Sequence, residues 1–139
     1  MIPDRIFKDL EHSYKGFDKY LNGQRLEIGY KPDYVLKKNK EYIIMESETG
    51  SNRKMYVGGM MKAAHYLQNE KKGKLIFVIK PQDNTKVSSI AKHLKPYFLW
   101  IKKISNLEAV YVIDSEIYYT NEKLLTLDCN EFETKALKV

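Results

Sequence analysis

Three carboxylates in the first third of the chain have the types and spacing for metal-assisted chemistry: Asp33, Glu46 and Glu48. The segment Tyr42–Glu48 is apolar until its last residues and reads as a β-strand, in which side chains alternate between faces. Glu46 and Glu48 then project from one face, and Ile43, Met45 and Ser47 from the other. Asp33 follows Pro32 and opens the preceding strand, so a tight antiparallel connection brings it to the same edge. Three converging carboxylates repel one another unless a cation neutralises them. Mg²⁺ suits such a group, with Mn²⁺ as a substitute, because it takes hard oxygen ligands and leaves positions for water and phosphate. A cation placed there lowers the pKa of water, polarises a phosphoryl oxygen and offsets charge on a leaving oxygen, which is the chemistry of phosphodiester hydrolysis. The competing reading makes Glu46 and Glu48 the polar guard of an edge strand and Asp33 a turn residue. The apolar run Ile43-Ile44-Met45 argues against an edge.

Immediately downstream, Ser51, Asn52, Arg53 and Lys54 precede a helical pattern, where free N–H groups and the helix dipole favour an anion such as a backbone phosphate. Helix capping by Ser51 or Asn52 is the alternative. The 24 basic and 18 acidic residues give a net charge of +6 and a pI near 9.2, a balance that favours a polyanionic partner but also serves as a solubilising surface. Tyr56, Tyr66, Tyr97, Trp100 and Tyr111 are interspersed with lysines and read either as base-stacking platforms or as core and interface aromatics. His12, His65 and His93 have no ligand spacing, and one cysteine, Cys129, excludes both an internal disulfide and a cysteine-rich zinc cluster. Any metal is therefore expected to be oxygen-ligated. No small-molecule cofactor is indicated, and the lack of a long apolar run or signal-peptide pattern leads us to expect a cytoplasmic protein without membrane association.

The elements that must position these groups form one domain spanning 1–139, with a core over about 5–120 and a tail, 121–139, that shows no readable pattern. The spacing of Ile6, Leu10, Phe17 and Leu21 predicts an amphipathic helix from Pro3 to about Leu21. Strands are expected at Arg25–Tyr30, Tyr34–Lys37 and Glu41–Glu48, followed by a helix to about Gln68. Gly58 and Gly59 inside that helix imply close packing against the sheet. Lys74–Ile79 reads as a central strand, and Thr85–Lys103 as a helix that Pro96 kinks or splits. A last strand pair is expected at Val110–Ile113 and Ile117–Thr120. The order α-β-β-β-α-β-α-β-β implies an α/β fold, a mixed central sheet flanked by helices.

Asp33 followed by Glu46-x-Glu48, on the second and third strands after a leading helix, resembles the PD-(D/E)XK nuclease superfamily, which includes restriction endonucleases and Holliday-junction resolvases. The likeness covers about Arg5 to Ile113, and Pro32 matches the family's proline. It implies a restriction endonuclease-like core with Asp33 and Glu46 as metal ligands. Glu48 occupies the place of the family's usual lysine; some members carry Glu there, proposed to act as a base. The missing positive charge is then expected from Lys54 or Arg53, and Glu11, from the leading helix, as a further metal ligand. The implied activity is Mg²⁺-dependent cleavage of DNA by a homodimer, since cutting two strands calls for two sites. A catalytically inactive member of the fold that binds nucleic acid or a protein partner is the alternative.

Overall fold

The computed structural model describes residues 2–82 and 84–139. Short helix α1 (Asp4–Asp9) and the two-residue strand β1 (Asp18–Lys19) lead into the antiparallel hairpin of β2 (Tyr34–Lys38) and β3 (Glu41–Thr49). Helix α2 (Arg53–Tyr66) crosses over to β4 (Lys72–Lys80), and α3 (Val87–Ile101) to β5 (Leu107–Asp114). Both crossovers make parallel pairs. Short helix α4 (Ser115–Tyr118), a small hairpin of β6 (Tyr119–Thr120) and β7 (Lys123–Leu124), helix α5 (Asn130–Lys135) and β8 (Leu137–Lys138) complete the chain. The main sheet has the order β1-β2-β3-β4-β5-β8 and is mixed, as the α/β reading requires. No helix among the described residues is long and apolar enough to cross a membrane.

Alternation along the strands divides the interior in two. Tyr42, Ile44, Leu75, Phe77, Val110 and Val112 pack on one face against α2 and α3. Ile43, Met45, Ile76, Val78 and Ile113 pack on the other with Phe7 of α1, Tyr118 of α4 and Phe132 of α5. β4 is buried from both sides, which explains its unbroken apolar run.

Several expectations are corrected. The leading helix stops at Asp9 instead of Leu21. The reason is His12, which is buried and accepts a hydrogen bond at Nδ1 from the Tyr118 hydroxyl (2.6 Å) while Nε2 donates to the Phe7 carbonyl (2.7 Å). That side chain takes a helix-end carbonyl and pulls the backbone off the helical path. Burial holds the imidazole neutral, with its pKa lowered to about 4. Arg25–Tyr30 is not a strand either: it folds as a turn carrying a single Glu27–Tyr30 bridge, and β1 takes the edge beside β2. Pro96 lies within an unbroken α3, on its exposed side. Residues 117–120 do not return along β5; they form the end of α4 and β6. The segment 121–139 belongs to the domain, because Leu127, Phe132 and Val139 are buried and β8 pairs with β5.

At Gly73 the backbone of β3 leaves no room for a side chain on β4: a Cβ there would stand 2.0 Å from the Tyr42 carbonyl oxygen. Backbone cannot yield as a flexible side chain can, so Gly73→Ala is expected to destabilise the fold by about 3 kcal/mol, read as a lower urea midpoint with an unchanged slope.

Candidate functional site

The two-residue turn at Asn39–Lys40, with Asn39 in the left-handed region (φ 55°), sets the hairpin register Tyr34↔Met45. Continuing that register by one residue places Asp33 beside Glu46. The Ser47 N–H donates to Asp33 Oδ2 at 2.8 Å, which ties the aspartate to the end of β3. Glu46 and Glu48 follow Tyr42 and Ile44 on the α2 side of the sheet, as the alternation requires. This is the carboxyl end of β3, within the parallel part of the sheet, where open α/β folds generally place ligands.

A cleft of about 270 Å³ opens above the two glutamates, between β3, α2 and the turn at Tyr30–Lys31. Asp33 faces an adjoining hollow of about 250 Å³ with Lys8 and Lys19, and Lys31 lines both. Gly58 and Gly59 prove different. Gly59 packs against the Phe77 ring, where a Cβ would stand 3.2 Å from it, as expected for a helix lying close on a sheet. A Cβ at Gly58 would meet nothing within 4 Å; this glycine leaves open space at the cleft wall.

Electrostatics tie the carboxylates together. The Glu46 carboxyl is pushed up to about 8 by burial and by the negative charges of Asp33 and Glu48, against the pull of Lys62 and Lys8. Asp33 is raised by burial and by Asp4, partly offset by the Ser47 N–H and by Lys8, whose Nζ lies 3.8 Å from Oδ1. Glu48 is raised by burial, Asp33 and Asp4. Among the described residues neither glutamate accepts a hydrogen bond from a protein donor, so their oxygens are free to meet a ligand. One further polar atom is stranded here: the Tyr30 hydroxyl, buried and without a hydrogen-bond partner among the described residues, with Glu46 near enough to act on it.

The structure brings Asp33, Glu46 and Glu48 together. It does not bring them into a closed cage, since no group of three or more His, Cys, Asp or Glu among the described residues is arranged to enclose a metal ion. An ion of the magnesium type would therefore have at most two of these carboxylates as ligands, with water and phosphate oxygen in its remaining positions. Glu11 falls beyond the end of α1, exposed, and its charge acts on Tyr34. The carboxylate of α1 that acts on Asp33 and Glu48 is Asp4. Lys54 and Arg53 are exposed in the first turn of α2, and the Asn52 side chain caps that helix by accepting from the Lys54 N–H. Ser51 precedes the cap, half-buried. The lysine of α2 at the cleft is Lys62. Helical spacing alone could have suggested it, since Lys62 lies one turn beyond Gly58 on the same helix face.

The raised Glu46 carboxyl has a consequence for the metal-free protein. Unfolded, this group ionises near its ordinary 4.5; folded, it keeps its proton to about 8, so stability falls as pH rises between these values. His12 acts oppositely: its depressed pKa adds stability as pH rises from about 4 to its ordinary 6.5. The interval from 6.5 to 8 lies above the His12 window and within that of Glu46, with Asp33 and Glu48, also raised, acting in the same direction. In EDTA, Glu46→Gln is expected to flatten the decline there and to exceed the parent by about 1 to 3 kcal/mol at pH 8.5 in denaturant titrations, with little difference at pH 4.5. The site stands on this geometry, for no family model, no curated protein and no solved structure matches the chain.

Proposed function

We propose that this protein is a Mg²⁺-dependent endonuclease that hydrolyses DNA phosphodiester bonds in the cytoplasm, with a restriction endonuclease-like core of the PD-(D/E)XK kind. The observation that carries the reading is the placement of Asp33 beside Glu46, with Glu48 next along the same face, at a cleft that also holds Lys62. The run α1, antiparallel β1-β2-β3, α2, then parallel β4 supports it, being the order expected of such a core.

Asp33 and Glu46 would hold the ion, for which Mn²⁺ could substitute, and the ion would supply Lewis-acid polarisation of the phosphoryl oxygen. Glu48 accepts the proton of the attacking water, whose oxygen forms the new bond to phosphorus as the bond to the leaving sugar oxygen breaks. Lys62 opposes the negative charge that grows on the phosphoryl oxygens, the task for which Glu48 has the wrong sign. Lys54, Arg53, Ser51 and Asn52, at the start of α2, offer contacts to flanking phosphate. The net charge of +6 favours such a polyanion, and two copies in a symmetric dimer would serve the two strands of a duplex.

A second reading, a non-catalytic nucleic-acid or protein binder on the same fold, is favoured by the glutamate at position 48 and by the openness of the carboxylate group. Supercoiled plasmid and a labelled four-way junction, incubated in Mg²⁺, Mn²⁺ or EDTA, separate the two. Cleavage should require the metal and disappear in Asp33→Ala and Glu46→Ala. Lys62→Met should lower the rate about 100-fold while Lys54→Met changes it by less than about fivefold, because only the former lysine lines the cleft. Metal-independent, salt-sensitive binding without cleavage of either substrate would replace the nuclease by the binder.

A further inference from the structure

We propose that Ile28, at the tip of the Glu27–Tyr30 turn, is a wedge that enters the base stack of a nucleic-acid duplex held at the carboxylate cleft. This deepens the nuclease reading and rests on it for the identity of the ligand.

Ile28 is 95% exposed, whereas the next most exposed large hydrophobic side chain among the described residues, Ile104, is 59% exposed. Ile28 therefore stands clear of the core and contributes nothing to packing. An exposed isoleucine is ordinary on a mobile loop, but this turn is tied at four points. The Leu26 N–H donates to the Tyr30 carbonyl (2.9 Å) and the Tyr30 N–H to the Glu27 carbonyl (3.0 Å). Lys62 Nζ donates to the Gly29 carbonyl (3.2 Å), and Glu27 Oε2 meets His65 Nδ1 at 2.8 Å. Gly29 supplies the left-handed residue that the reversal needs, at φ 79°. A pinned apolar tip loses little freedom on insertion, which is what a wedge requires.

Its position joins it to the site. Tyr30 and Lys31, the next residues along the turn, line the Glu46–Glu48 cleft, and Lys62 both pins the turn and lines that cleft. Arg25 and Lys31, which flank the turn in sequence, and Lys62, which binds it, are exposed; the turn's own acid, Glu27, is engaged by His65, and the acids Glu46 and Glu48 sit in the adjoining cleft, where the nuclease reading places the cation. A basic collar selects a polyanion, and an apolar tip needs an apolar interior. A duplex presents both, with phosphate outside and stacked bases within, and inserted Ile, Leu or Met side chains unstack and kink it. A second copy of this chain would bring the same positive collar and be repelled. A single isoleucine buries enough apolar surface for only about 1.5 to 3 kcal/mol, too little to hold a lipid surface.

The test uses the full chain and duplexes carrying 2-aminopurine at successive positions, with Ca²⁺ as the cation so that base unstacking is read directly as fluorescence. Wild type should raise the fluorescence at one or two adjacent positions; Ile28→Ala should not, and Ile28→Met should restore the rise. Thermal unfolding of Ile28→Ala should match wild type, because nothing packs on the side chain. In Mg²⁺, Ile28→Ala should cut an intact duplex about tenfold more slowly than wild type, yet cut the same sequence with a two-base mismatch at the site at close to the wild-type rate, the unstacking being already done. Equal fluorescence rises, or equal duplex cleavage, in wild type and Ile28→Ala would overturn the wedge and leave the nuclease standing. Ile28-dependent unstacking without cleavage in Mg²⁺ would keep the wedge and remove the nuclease. Binding to acidic phospholipid vesicles with no binding to duplex would overturn both.

Discussion

The register of β2 against β3 is the constraint on which the site depends. A strand shifted by one residue turns every side chain to the opposite face, so a slip here would send Asp33 away from Glu46 and bury Lys37 where Leu36 belongs. Two features prevent it. The tight turn at Asn39–Lys40 admits one alignment, and Leu36 packs with Ile43 and Met45 in the core behind the hairpin. The energy that holds three carboxylates close together is therefore not local to them. It comes from apolar side chains on the reverse of the same strands, a common arrangement where repulsion at a site is sustained by packing elsewhere.

The two faces of the sheet treat polar groups differently. Behind the hairpin, His12 is enclosed, neutral and satisfied by Tyr118 and Phe7, so a polar ring becomes part of the core. In front, the carboxyl end of β3 opens to solvent beneath α2, and the glutamates there lack protein donors among the described residues. Gly58 and Gly59 show how one helix serves both needs. Gly59 lets α2 settle on Phe77, while Gly58 costs helix stability of about 1 kcal/mol without a packing return and leaves the cleft wall low. Lys62, further along α2, puts a positive charge at the cleft and anchors the turn that presents Ile28. Helix, hairpin and turn thus form one connected unit around the acidic group.

Much of this was written locally. Alternation in Tyr42–Glu48 was enough to pair Glu46 with Glu48, and the apolar run in Lys74–Ile79 marked a central strand, because strand periodicity reports which faces are covered. The helical stripe Met60, Ala64 and Leu67, all buried, located α2. What the sequence could not decide were matters settled by partners distant along the chain. Helix α1 ends early because His12 finds Tyr118, more than a hundred positions away. The segment after Thr120 shows no pattern of its own, yet it supplies Phe132 and the edge strand β8. Arg25–Tyr30 has strand-like composition, but β1 holds the place beside β2. The positive charge at the site followed the same rule: Arg53 and Lys54 are nearest in sequence to Glu48, whereas the packing of α2 on the sheet brings Lys62 to it. By itself the sequence determined which residues alternate and which are acidic; the tertiary structure decided which of them meet, because contacts across the sheet are set by packing that no local window contains.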